Sequence, residues 1–274
     1  MSKNMIRQFP SYLKLFDVSL RDGIQTWKKI PSLDEKKTIL HKISKLSNVN
    51  NIEVGSVVSD KILPQFKDSI ELYHYTRKNY NHLTPYLLIP NIKMQNKALF
   101  NNIENMSFIT SVSEDFQKKN TKMNLDKSKS EISEMLNKTT GFKKLYISCI
   151  NECPISGVLD NTKIINEIIE YIKLPLNEIC LSDTCGTLTE EKLKELLPIL
   201  LQVMQRNNIS VSKLSLHLHK HKDVMETQKI INYCIDNYIY KFDVSIIEGG
   251  GCSVTMHENA IKNNLNYDDF NFLL

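Results

Sequence analysis

Val211-Ser212-Lys213-Leu214-Ser215-Leu216-His217-Leu218-His219-Lys220-His221 starts as a buried strand and ends in three histidines at alternate positions. Residues two apart in an extended chain point to the same side, so His217 and His219 present two imidazoles together. Neutral imidazole is the commonest metal ligand, and such a pair chelates one ion when a carboxylate or amide joins it. Taken alone, the pattern also fits exposed histidines at a strand end. Far upstream, Leu20-Arg21-Asp22-Gly23 follows another short apolar run and sets a carboxylate beside a guanidinium.

The same strand-then-helix pattern recurs along the whole chain. Strand-like runs occur at Tyr12–Val18, Asn51–Val57, Leu83–Ile89, Ser107–Val112, Lys144–Ile150, Glu178–Leu181, Lys213–His217 and Lys241–Ile246. Amphipathic helical segments separate them at Leu33–Leu46, Asp60–Lys78, Leu125–Asn137, Thr162–Ile172, Thr189–Gln205 and Val224–Asn237, with a weaker one around Asn91–Asn102. Ser32 and Thr189 stand where helix N-caps belong, the latter before Glu190 and Glu191. Eight strands alternating with helices predict a parallel α/β sheet, and eight is the number that closes a (βα)8 TIM barrel. The expectation is one domain over residues 1–274, with strand 1 from about residue 12 and a short last helix over 259–274.

Composition narrows the partners. A hydrophobic share of 41%, a charged share of 24% and a net charge of +4 over 274 residues describe a globular protein with a sizeable core. The lysines are scattered, with no basic arm and no aromatic platform, so nucleic acid is not an expected partner. No apolar stretch is long enough to span a bilayer, and Met1–Ser11 is too polar for a signal peptide. The six cysteines (Cys149, Cys153, Cys180, Cys185, Cys234, Cys252) lack a zinc-finger spacing. A reducing, cytoplasmic compartment is the expectation.

Seven of the eight glycines fall at or just beyond a predicted strand C-terminus; Gly141 alone precedes a strand. In a barrel those ends build the active site. Projected onto it, Arg21 and Asp22 follow the first strand, Glu53 lies in the second and Asp183 follows the sixth. His217 and His219 end the seventh, and Cys252 and Asn259 follow the eighth. The first, seventh and eighth strands adjoin in a closed barrel, so Asp22, His217, His219 and Asn259 are expected to converge. Two nitrogens, a carboxylate and an amide oxygen suit Mg²⁺ or Mn²⁺ better than structural zinc.

These residues resemble those of the hydroxymethylglutaryl-CoA lyase family, metal-dependent lyases and aldolases on a TIM barrel. The likeness is carried by Arg21-Asp22-Gly23-Ile24-Gln25, Ile52 to Ser59, Phe116-Gln117-Lys118-Lys119-Asn120 and Tyr146-Ile147-Ser148-Cys149 with Cys153-Pro154. It continues through Leu181-Ser182-Asp183-Thr184, His217-Leu218-His219 and Gly250-Gly251-Cys252. The resemblance implies a divalent cation on Asp22, His217, His219 and Asn259, the last reached by a two-residue deletion after Cys252. It implies Arg21 on the carbonyl oxygen where enolate charge develops, and Glu53 and Asp183 orienting substrate and relaying protons. Cys252 would stand on a mobile covering loop. The implied reaction splits 3-hydroxy-3-methylglutaryl-CoA, a CoA thioester, into acetoacetate and acetyl-CoA.

The chain departs from the family at Lys220, where the family has an acidic residue; a lysine there is expected to loosen the histidine ligands. Glu248 replaces a small or apolar residue, and the segment after Cys252 is shortened. A related aldolase, a Claisen-type acyltransferase and a silent barrel that binds an acyl-CoA or a partner protein remain open alternatives. So do a homodimer, the identity of the acyl group and the native metal. Bland roles are also open: a surface ion pair for Arg21 and Asp22, a structural carboxylate for Glu53, packing for Cys149 and Cys153, and a half-buried loop position for Cys252. The other histidines, His41, His74, His82, His221 and His257, are expected to do no chemistry.

Overall fold

The structure, a computed structural model, describes residues 9–251, 255–256 and 261–274. Cys252 and Asn259 lie outside the described residues. The strands are β1 (Lys14–Asp17), β2 (Val49–Ser56), β3 (Thr84–Leu88), β4 (Met106–Ser111), β5 (Lys143–Ser148), β8 (Glu178–Asp183), β9 (Leu214–Leu218) and β10 (Lys241–Val244), with β6 (Glu152–Cys153) and β7 (Gly157–Val158) forming a small antiparallel hairpin. The first eight close a barrel in the order β1-β10-β9-β8-β5-β4-β3-β2, and the pairs are parallel. Each of the eight expected strands is therefore a barrel strand.

The helices are α1 (Leu33–Ile43), α2 (Ser69–Asn79), α3 (Ile92–Phe100), α4 (Glu114–Thr121), α5 (Leu125–Lys138), α6 (Asn161–Ile172), α7 (Glu190–Arg206) and α8 (Val224–Asp236). Ser32 caps α1 in a full capping box with Glu35, and the Thr189 side chain caps α7. Buried side chains such as Leu40, Leu72, Ile168, Leu200 and Ile231 belong to the apolar core in which helices and strands meet.

Three expectations need correction. The helix expected over Asp60–Lys78 is broken: a 3-10 turn, Pro64–Phe66, precedes α2. Proline disfavours the helical region for the residue before it, and Leu63 is not helical, with φ −135° and ψ 80°. Helix α4 was not foreseen as a helix, although Ser113 caps it and Glu114 and Asp115 occupy its first turn. The last helix is a 3-10 helix, Tyr267–Leu273, not a segment beginning at 259. Ahead of it the chain is tied to the end of β9: Lys220 N donates to Asn263 O at 2.7 Å, and His219 and Asn264 form an isolated bridge. Backbone pairing with β9 takes up these residues and postpones the helical turn.

Candidate metal centre and active site

Chain direction puts the ligands together. After β1 the chain makes a short π-helical turn, Ser19–Gly23, which turns Arg21 and Asp22 inward, only 6% and 4% exposed. This excludes the surface ion pair. Arg21 bonds through Nε to Glu53 and through Nη1 to Asp22 Oδ1. The other Asp22 oxygen accepts from Gly251 N at 2.9 Å and faces the histidines, 3.8 Å from His217 Nε2 and 3.6 Å from His219 Nε2. Ligand atoms of Asp22, His217 and His219 all lie within 4.8 Å of one another.

The second nitrogen of each ring is already used. His217 Nδ1 is 3.2 Å from Asp243 Oδ2, and His219 Nδ1 is 2.8 Å from the Asp183 carbonyl. Burial would raise the Asp243 carboxyl, but the Lys144 ammonium and His217 hold it below the usual range, so it accepts. Each ring then donates from Nδ1 and turns its Nε2 toward Asp22; at His219 burial is outweighed by the Asp22 carboxylate, which raises the imidazole pKa. Burial lowers the His217 pKa despite the carboxylates beside it, which favours the neutral, ligating form. At Asp22 burial pushes upward, yet Arg21 and then the histidines hold the carboxyl well below its ordinary value.

Unpaired atoms complete the picture. His219 Nε2 and both polar atoms of the Asn264 side chain are buried and have no hydrogen-bond partner among the described residues. Orphaned buried polar groups are uncommon and call for a missing partner. Asn264 stands beside Asp22: a Cβ added at Gly250, whose φ is +142°, would meet Asn264 Nδ2 at 2.6 Å and Asp22 Oδ2 at 2.9 Å. Only glycine lets the chain pass between them. An amide, a carboxylate and two imidazoles fit a hard divalent cation. The sequence reading reached for Asn259; the described asparagine at the ligands is Asn264. The usable signal was Asn264-Leu265, directly before the last helical turn. Asn264→Ala is expected to weaken Mn²⁺ binding by at least about tenfold, and Asn259→Ala to leave it unchanged, as calorimetric titration would measure.

Above the ligands opens a cavity of about 380 Å³, large enough for a small-molecule site. Arg21, Asp22, His217, His219 and Gly251 line one part of it. Tyr146, Ser148, Ser182 and Thr184 supply polar lining, and Ile62, Leu63, Phe66, Met94 and Phe116 supply apolar lining. Glu53 is fully buried and outside this lining; it takes Arg21, Ser107 Oγ and, at 3.2 Å, Tyr146 OH. Asp183 is likewise set back, its carboxylate accepting from Thr187 N at 3.3 Å and Leu188 N at 3.0 Å. Tyr146, which sequence reasoning gave no role, has its ring 5.0 Å from the Arg21 guanidinium carbon and edge-on to His217.

Lys220 does not oppose the metal ligands. Its Nζ pairs with Asp269 Oδ2 at 3.0 Å on the last 3-10 helix. The carbonyl of Asp183 and the carboxylate of Asp243 support the histidines instead. Lys220→Asp is therefore expected to leave Mn²⁺ affinity no higher than in the parent chain, because the new carboxylate would face Asp269. Tighter binding in that variant would restore the reading of a site loosened by lysine.

The HMGL-like family model matches residues 12–225. The mitochondrial hydroxymethylglutaryl-CoA lyase of Macaca fascicularis is 25% identical over 276 residues, covering 100% of this chain and 81% of that protein. The cytoplasmic 3-hydroxy-3-methylglutaryl-CoA lyase of Mus musculus is 27% identical over 213 residues, covering 77% of this chain and 60% of its own length. Among solved structures, hydroxymethylglutaryl-CoA lyase from Pseudomonas aeruginosa superposes with a TM-score of 0.82 at 25% identity, covering 97% of this chain and 86% of that one. An HMG-CoA lyase from Acinetobacter baumannii, in complex with coenzyme A and 3-methylmalate, gives 0.81 at 23% identity, with 96% and 84% covered.

Proposed function

Because the chain belongs to the HMGL-like family and is a carbon–carbon lyase of the hydroxymethylglutaryl-CoA lyase type, we propose that it splits 3-hydroxy-3-methylglutaryl-CoA into acetoacetate and acetyl-CoA. One observation carries the reading: buried His219 Nε2 and the Asn264 amide lack partners among the described residues beside Asp22, with Arg21 held against the same carboxylate. Asp22, His217, His219 and Asn264 would hold Mg²⁺ or Mn²⁺, which when bound supplies Lewis acidity toward substrate oxygens.

The protein's own groups account for the remaining steps. The tertiary hydroxyl passes its proton to a water in the cavity, from which Asp183 would relay it, and its oxygen forms the new ketone as the adjacent carbon–carbon bond breaks. That electron pair passes to the thioester fragment as an enolate. Arg21, permanently charged and fixed by Glu53 and Asp22, faces the cavity where enolate charge develops. The enolate carbon then takes a proton. Cys252 follows the cavity-lining Gly251 in sequence, and we assign it this acid role on a covering loop. Cys252→Ser is expected to cut cleavage far more than it weakens thioester binding; equal losses in the two would remove Cys252 from the chemistry.

The relatives include mitochondrial and cytoplasmic enzymes. The five described cysteines are free thiols, which supports placing this chain in a reducing cytoplasm. No helix among the described residues is long and apolar enough to cross a membrane. The function is tested by acetyl-CoA release from 3-hydroxy-3-methylglutaryl-CoA with Mg²⁺ or Mn²⁺, its loss on chelation and its return on metal addition. Bound metal and bound thioester without release would favour the silent barrel.

A further inference from the structure

We propose that Lys144, which lies outside the cavity lining, is a positioning residue for the metal centre, acting across the barrel through Asp243 on His217. The inference rests on the metal reading above. Lys144 is on β5 and Asp243 on β10, and β8 and β9 stand between them in the barrel order, so their contact crosses the barrel interior. Lys144 Nζ lies 2.5 Å from Asp243 Oδ1, and the pair is 1% and 0% exposed. The second oxygen of that carboxylate meets His217 Nδ1 at 3.2 Å, with the Cys180 thiol a longer donor at 3.9 Å.

One carboxylate thus has its two oxygens committed in different directions, one to a cation and one to a ligand ring. The ammonium is itself fixed, 3.1 Å from Glu178 Oε1, 3.6 Å from the Phe16 ring centroid and 4.8 Å from that of Tyr146. A buried ion pair is weak support for stability, since desolvation offsets most of the attraction. The geometry supplies a more specific use. With Oδ1 anchored, the carboxylate plane is set, and with it the orientation of the His217 ring whose Nε2 faces Asp22. Without Lys144, the Asp243 carboxyl loses the partner that sets its plane.

The test is Mn²⁺ binding to the purified chain, followed by the electron paramagnetic resonance signal of free Mn²⁺, with thermal melting as the check on folding. Lys144→Met is expected to weaken binding by about 10- to 100-fold, the usual cost of losing an outer-shell partner. Lys144→Arg is expected to restore most of it, and Lys144→Gln replaces the methionine variant should that one not fold. Adding Lys144→Met to Asp243→Asn is expected to cost nothing beyond Asp243→Asn alone, because both act through one contact. A folded Lys144→Met or Lys144→Gln protein that binds Mn²⁺ like the parent would overturn the inference alone. So would losses that add in full. A parent chain that binds no Mn²⁺ would overturn the metal reading, and this inference with it.

Discussion

Arg21→Lys is expected to lower turnover by about two to three orders of magnitude while Mn²⁺ stays bound. The scale is that of removing one preorganised donor from an oxyanion site, roughly 3 kcal/mol of barrier. Charge is conserved in this variant, so the loss isolates geometry. Arg21 spans Glu53 with Nε and Asp22 with Nη1, and an ammonium on a shorter reach cannot hold two carboxylates and also face the cavity. Ground-state contacts of the thioester are left largely intact, so kcat falls more than KM rises. Steady-state kinetics with a parallel Mn²⁺ titration checks both halves. Near-parental turnover would place the enolate oxygen elsewhere.

The second large effect is at His219. His219→Ala is expected to weaken Mn²⁺ binding by more than about 100-fold, exceeding the outer-shell figure because a ligand itself is lost. The fold should persist: His219 lies just beyond the end of β9, and its side chain contacts the Asp183 carbonyl and Asp22 rather than the apolar core. Atomic-absorption metal content and circular dichroism on the same preparation separate the two outcomes. Unchanged metal content would remove His219 from the ligand set.

The barrel was legible because burial imposes short apolar runs on parallel strands, and those runs recur eight times with helix-length spacing. His217 and His219 were legible for the same reason, since a period of two turns both toward one side. Boundaries were less so where one residue overrides its neighbours, as Pro64 does ahead of α2. Asn264 was not legible because its place beside Asp22 comes from the fold, through its bridge with His219 and the close passage of Gly250. Lys144 and Asp243 are charged residues inside strand runs, and Lys144, Tyr146 and Ser148 alternate as inward positions should. What the sequence does not display is that Lys144 meets a carboxylate 99 residues away on a strand that is not its neighbour. Register and barrel closure create that contact. The Lys220 expectation missed for a similar reason: its partner, Asp269, is 49 residues distant.

Cleavage at the mouth of the barrel runs through a thioester enolate on the mechanism proposed above. It is tested most directly by running the reaction in D2O with Mn²⁺ present and analysing the acetyl-CoA by mass spectrometry. The enolate takes its new proton from an exchangeable group, so one deuterium per acetyl group is expected, with acetoacetate formed in equal amount. Substrate recovered intact from a protein that holds both Mn²⁺ and the thioester would contradict cleavage through this enolate.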